Sequence, residues 1–296
     1  MKLFHAMATV ASLTFLSRIA GFARDVLTAA FLGAGPVADA FFVALKLPNL
    51  FRRVTAEGAF SVSFVPLYTR TLEEEGAEKA TQFAGRSASI MSIGLVFFSA
   101  LFMIFMPVVI SLIAPGFQDD AVRFPLSIEL ARITFPYLFL ISLTALMGGM
   151  LNAHNRFAPF AVTPVLFNLA VIAAILIGSW MNINIGYAMA WGISISGFLQ
   201  LVFVWLFFGR YKIKFHFESP ALTPRIKKLF KLMGPGVLGA GVMHINLFAD
   251  MIIASLLPAG AISYLYYADR LNQLPLGVVG IAIGTALLPM LSKSLA

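Results

Sequence analysis

The strongest constraint on what this chain can fold into is a succession of apolar runs with little chain between them. They extend from Met7 to Leu32, Ala38 to Tyr68, Ser87 to Ala114, Leu126 to Leu151, Phe157 to Trp180, Ile185 to Phe208, Leu229 to Leu257 and Gly260 to Leu291. A helix needs about 20 largely apolar residues to cross the hydrocarbon core of a bilayer, so the pattern predicts eight transmembrane helices. Among 296 residues, 60% are hydrophobic and 11% charged, whereas soluble domains carry about 25% charged residues. A soluble globular fold and extended disorder are both excluded. There is no cysteine, which removes disulfides, thiolate metal sites and a Cys nucleophile. Lys2 ahead of an apolar run could open a signal peptide, but Arg18 interrupts that run and the apolar pattern continues to Leu32, which favours a retained helix.

Charge in the loops sets the orientation. On one side lie Lys2, Arg70, Lys79, Arg86, Arg156, the basic run from Arg210 to Lys231, and Lys293; the other side holds Arg123 alone. The bias of Lys and Arg toward the cytoplasmic side predicts a cytoplasmic N-terminus. The net charge of +8 is then a topology signal before it is a sign of a nucleic-acid or lipid site, and no nucleic-acid partner is expected. The acidic cluster Glu73, Glu74, Glu75 and Glu78 reads as a solvated loop.

The remaining cations fall inside predicted spans: Arg18, Arg24, Lys46, Arg52, Arg53, Arg132 and Arg270. Each costs roughly 2.5 to 3.5 kcal/mol at the centre of a membrane helix, so it must face protein or water. Acidic residues in the spans are Asp25, Asp39, Glu57, Glu129, Asp250 and Asp269. At 100° per residue, Thr14, Ser17, Arg18, Gly21, Arg24, Asp25 and Thr28 share one stripe of the first helix, which predicts that the stripe lines a hydrated interior. Phe15, Ile19, Phe22, Val26 and Leu27 fall on the other side. The second span is broken by Pro48, Gly58 and Pro66, the eighth carries Asn272, Gln273, Pro275 and Gly277, and the seventh carries Pro235, closely spaced glycines, His244 and Asn246. Proline and glycine within a span free backbone groups that only protein or a water-filled cavity can satisfy. Spans three, five and six are plain by comparison. For Asp25, Arg53, Glu57 and Asp269 a structural ion pair and a functional role remain alternatives, while Glu129 and Arg132 read as structural. A surplus of arginines over matching carboxylates is what an anion such as a diphosphate would complete.

The sequence also repeats weakly. Ala44 to Leu50 overlies Ala268 to Leu274, which places Lys46 on Arg270 at an offset of 224; Asp25 falls on Asp250 and Gly35 on Gly260 at 225, and Pro66 on Pro289 at 223. Six predicted crossings separate the copies, so both point the same way and an axis along the membrane normal relates them. The expectation is an all-α polytopic membrane bundle. Residues 1–208 form one complete six-helix lobe, 209–228 a basic cytoplasmic linker, and 229–296 the first two helices of a second lobe. The sequence given ends at Ala296 after two helices of a second copy, which leaves as alternatives a truncated product, a fragment, or a repeat that is real but incomplete.

The segments Arg18 to Asp25, Ala38 to Ala44, Lys46 to Arg53, Glu57 to Pro66, Tyr267 to Pro275 and Gly280 to Ser292 closely resemble the MurJ (MviN) family of lipid II flippases, within the MOP transporter superfamily. The resemblance implies a non-enzymatic transporter of the bacterial inner membrane. Its partner would be lipid II, an undecaprenyl-diphosphate-linked peptidoglycan precursor, carried to the periplasmic leaflet by alternating access in a monomer among membrane lipids. It implies that Arg18, Arg24, Arg52 and Arg270 bind the diphosphate and that Asp39 is a further cavity residue. Arg53, Glu57 and Asp269, with Asp25, become gating or ion-pair candidates. No cofactor is implied beyond sodium as a coupling ion, for which Asp250 is the candidate ligand.

Two other functions fit less well. A cation-coupled drug or polysaccharide-lipid exporter of the same superfamily would favour an acidic, aromatic cavity over an arginine-rich one. A membrane-embedded lipid-phosphate enzyme would need a nucleophile with a base, or paired metal-binding carboxylates. His5, His154, His216 and His244 are scattered and no Asp-x-Asp motif occurs.

Overall fold

The computed structural model of the chain describes residues 2–52 and 58–273, and among them there are helices and no strand. In chain order these are α1 (Lys2–Phe31), α2 (Pro36–Arg52), α3 (Phe60–Glu75), α4 (Ala77–Ile104), α5 (Met106–Ile113), α6 (Arg123–Thr134), α7 (Tyr137–Ala153), α8 (Ala158–Trp180), α9 (Ile185–Tyr211) and α10 (Pro224–Ser255). An eleventh, α11, covers 261–273. By length and composition, Ala77–Ile104, Arg123–Ala153, Ala158–Trp180 and Ile185–Tyr211 suit a membrane crossing.

Three predicted spans are pairs of helices. The second divides into α2 and α3, the third bends at Phe105 between α4 and α5, and the fourth bends between α6 and α7 at Phe135 and Pro136. The bend in the third has a traceable cause. Pro107 has no N–H, so the carbonyl of Met103 one turn earlier loses its helical donor. Arg132 on α6 donates its Nε–H to that carbonyl at 2.9 Å. Arg132 is therefore structural, as expected, but not as the partner of Glu129, which accepts from the Tyr187 hydroxyl instead.

Exposure follows the lipid boundary predicted for α1. Phe15, Ile19, Phe22 and Val26 are exposed, while Leu27 departs from that face and packs against the core. Trp180, Phe97 and Phe198 extend the exposed apolar surface around the bundle, as expected of a protein whose outer solvent is hydrocarbon.

Inside, α8 and α9 approach closely through small residues. A Cβ added to Gly192 would stand 2.5 Å from the Cβ of Ala174, and one at Gly178 2.5 Å from that of Ala188. Between membrane helices such contact replaces the hydrophobic effect as the source of association. Gly192→Val is expected to lower stability by about 1 to 3 kcal/mol through overpacking. Gly94→Val, with nothing within 4 Å of its added carbon, should melt close to the unaltered protein. Thermal unfolding in detergent compares the two.

Two cores stack along the bundle. One joins α2, α5 and α6 to Met251, Ala254 and Ile262; the other joins α3, α4 and α7 to Ile226 and Leu229. The segment after α9 is extended and shorter than the expected linker, since α9 runs to Tyr211 and α10 begins at Pro224. It lies along one face of α4: Ser89 Oγ donates to the carbonyl of Glu218 at 2.6 Å, and Gly85 leaves room for the carbonyl of His216. Thr223 caps α10 by accepting from the Ile226 N–H, one of the donors a helix start leaves unpaired.

Candidate anion-binding site

Two of the intramembrane cations, Arg24 and Arg270, meet at one acid. On α1, Arg24 donates from Nε and Nη2 to Asp25 Oδ1 at 3.1 and 2.6 Å. From α11, Arg270 Nε stands 3.6 Å from Asp25 Oδ2. One carboxylate is thus shared by two guanidiniums from helices far apart in sequence. Arg24 and Asp25 side chains are mostly buried, at 17% and 15% exposure, so their charges are only weakly screened. Arg24 lies 5.6 Å from the Phe167 ring and Arg270 4.9 Å from that of Tyr266, contacts that favour cations over aromatic faces. The third Arg24 partner is Asn168 on α8, whose Oδ1 accepts from Nη1 at 2.9 Å. Neither Asn168 nor Phe167 stands out in sequence, because both sit in an otherwise plain apolar span.

Other predicted site residues occupy different surroundings. Arg18 is exposed on α1, Lys46 and Arg52 are half-buried on α2, and Asp269 is exposed, accepting from Gln273 Nε2 at 2.7 Å one turn along its own helix. Arg53 and Glu57 lie outside the described residues. The polar stripe of α1 is only partly a cavity wall: Thr28 is buried, and a Cβ at Gly21 would touch Asn168 at 3.5 Å. Asp250 is exposed on α10, and among the described residues no group of three His, Asp or Glu side chains converges to hold a metal ion.

Asp39 is the clearest departure from the sequence-based expectation. It is fully buried, and both its oxygens are engaged. Oδ2 accepts from the Gly260 N–H at 2.7 Å, and Oδ1 from the Ser263 N–H at 2.8 Å and from the Ser263 hydroxyl. It caps the first turn of α11 from another helix, using amides that no intrahelical carbonyl can satisfy. Nearby, the Tyr267 hydroxyl donates to the Gly33 carbonyl at 2.7 Å, and Gly116 N–H donates to Ser255 Oγ at 3.1 Å. Together these contacts close one end of the molecule.

The closure pairs repeat-related residues with each other. Asp39 and Ser263 are 224 apart in sequence, and so are Phe42 and Tyr266, whose rings stack at 3.9 Å. Gly260 and its counterpart Gly35 are also adjacent. Residues that touch their own counterparts are the mark of a two-fold axis between two copies. One turn further along α2 and α11 come the counterparts Lys46 and Arg270, which places the second copy's cation just beneath the closure.

Arg123, the lone outer-side cation, also belongs to this closure. It is nearly buried, stacks 4.6 Å over Phe117, donates to the Leu257 carbonyl at 3.3 Å and lies 3.9 Å from Asp39 Oδ2. Asp120 holds it through Nε at 2.7 Å. The Arg123 backbone N–H, followed by its side chain, keeps the Asp120 carboxyl below the usual carboxylate range. A carboxyl lowered in the folded state stabilises it above about pH 4, and that contribution is lost as pH falls through the lowered value.

The family model described as lipid II flippase MurJ matches residues 28–296. The chain is 42% identical to the probable lipid II flippase MurJ of Rhizobium meliloti (strain 1021), covering 100% of this chain and 56% of that protein. It is 36% identical to lipid II flippase MurJ of Burkholderia cenocepacia, covering 99% of this chain and 58% of that protein. A solved lipid II flippase MurJ in an inward closed conformation superposes with a TM-score of 0.78 at 30% identity, over 96% of this chain and 58% of that one. A MOP superfamily transporter from Pyrococcus furiosus shares the fold at a TM-score of 0.68 and 17% identity, over 91% of this chain and 60% of that one. The chain thus spans a little over half the length of these relatives.

Proposed function

The chain belongs to the lipid II flippase MurJ family, and from that membership we propose that it carries the diphosphate-binding centre of a lipid II transporter. The family is one of membrane transporters rather than catalysts. The observation that carries the reading is the sharing of Asp25 by Arg24 and Arg270. Two cations on one acid leave a net positive charge within the bundle, and guanidinium donors match phosphate oxygens.

In this mechanism the diphosphate of an undecaprenyl-linked precursor replaces Asp25 as the common partner of Arg24 and Arg270. Arg18, exposed on the same helix, and Arg52 on α2 supply further positive charge along the approach. The protein sits in the bacterial inner membrane with its N-terminus in the cytoplasm, a reading supported by the basic residues of the loops on that side. The closure around Asp39 then faces the periplasm. Its opening is the step that exposes the anion outward, since α11 carries both Ser263 of the closure and Arg270 of the site. The transporter acts as a monomer.

In a full-length version, Arg24→Gln or Arg270→Gln is expected to abolish growth of cells depleted of their own flippase, at unchanged protein level. Normal growth with either variant would remove the diphosphate assignment.

A further inference from the structure

We propose that Asn168 is a positioning residue that aims the Arg24 guanidinium at its anionic ligand. The inference rests on the diphosphate reading above and adds α8, which no charge or motif had marked, to the site. Asn168 is nine-tenths buried or more and uses both ends of its amide between two helices. Oδ1 accepts from Arg24 Nη1 at 2.9 Å, and Nδ2 donates to the backbone carbonyl of Ser17 at 3.0 Å. The Ser17 bond fixes which way the amide faces, because a flipped amide would set its oxygen against that carbonyl and its N–H groups against the cation. The oxygen therefore points at Arg24.

The local chain is built to hold this residue still. Pro164, one turn earlier on α8, cannot donate to the Phe160 carbonyl, and the Thr163 hydroxyl supplies the missing donor at 2.8 Å. Gly21 on α1 leaves the space that the Asn168 side chain occupies, and Phe167 lies beneath the guanidinium. An arginine has five N–H donors. Asp25 takes one from Nε and one from Nη2, and Asn168 takes one from Nη1. One N–H remains on each Nη, a pair suited to two phosphate oxygens. Asn168 is neutral, so it can orient Arg24 without cancelling the charge that attracts an anion. It also keeps its hold when Asp25 is displaced.

The test is a double-mutant cycle on the purified chain, with farnesyl diphosphate as probe. Asn168→Leu, which keeps the branching at Cγ, and Asn168→Ala are each expected to weaken binding about tenfold, the scale of a lost hydrogen bond to a charged group. In an Arg24→Lys background, which keeps the charge but not the planar fork, the same changes should alter affinity by less than about twofold. Additive losses would assign Asn168 a merely structural role and overturn the proposal, as would unchanged binding in both Asn168 variants. Absence of farnesyl diphosphate binding by the unaltered chain, or unchanged binding in Arg24→Ala, would instead overturn the diphosphate reading. Thermal unfolding of each variant separates loss of folding from loss of aim.

Discussion

Replacing Asp39 by alanine is expected to open the closed end of the molecule and to lower stability by about 3 to 5 kcal/mol, the scale of removing one partner from a buried charged group. The carboxylate is wholly buried and takes the N–H groups of Gly260 and Ser263 together with the Ser263 hydroxyl. Without it, two amides at the start of α11 lose their acceptor, at about 1 to 3 kcal/mol each where water cannot replace it. Arg123 also loses the charge 3.9 Å away and keeps Asp120 as its acidic partner. Asp39→Asn should fall between, since one oxygen survives but an N–H faces a donor. The absence of cysteine makes opening measurable: Ala38, 1% exposed, can be replaced by the chain's sole thiol. Slow maleimide labelling of Ala38→Cys, becoming fast when Asp39→Ala is added, is the expected result. Equal labelling of both would show that Asp39 does not hold the end shut.

This residue also shows how far the sequence could be read. An acid in an apolar run announces that something must satisfy it, but a cavity and a helix cap do so equally well, and composition does not separate them. Asp39 and Ser263 are counterparts at the offset of 224, and the structure shows that they touch; a repeat marks which positions correspond, not which of them meet. Arg24 and Asn168 are 144 residues apart, and one asparagine in an apolar helix creates no period and no charge. Its neighbour Pro164 lies in a span that reads as plain, and its meaning depends on where the partner helix passes.

Breaks within spans were legible to a similar degree. Pro107 and Pro136 mark where spans three and four bend, but a count of apolar residues runs straight through them. The donor that makes the first bend tolerable comes from Arg132, on another helix. Arg123 had a usable signal that a charge count passes over. A single cation on the side that otherwise lacks them is poorly explained by orientation, and here it is held by Asp120 and lies against Asp39 and the turn after α10. A residue that opposes a global bias is a better candidate for a specific contact than one that follows it.

The same reasoning about shared charge gives the second large effect. Asp25→Ala leaves Arg24 and Arg270 facing one another with no acid between them, and the chain without ligand should lose about 2 to 3 kcal/mol. That is less than for a fully buried pair because Arg270 is 37% exposed and partly screened. Addition of inorganic pyrophosphate should reverse the ranking of responses. In the unaltered protein the anion must displace Asp25 before it reaches both arginines, whereas in the variant that competitor is gone. If affinity rises tenfold, the extra stabilisation at saturating ligand is about 1.4 kcal/mol, seen as a larger rise in Tm on adding pyrophosphate. Asp25→Asn, which keeps a neutral acceptor, should respond between the two. An equal or smaller rise in Asp25→Ala would mean that Asp25 and the diphosphate do not compete for the same guanidiniums, and the anion site would have to be sought elsewhere in the bundle.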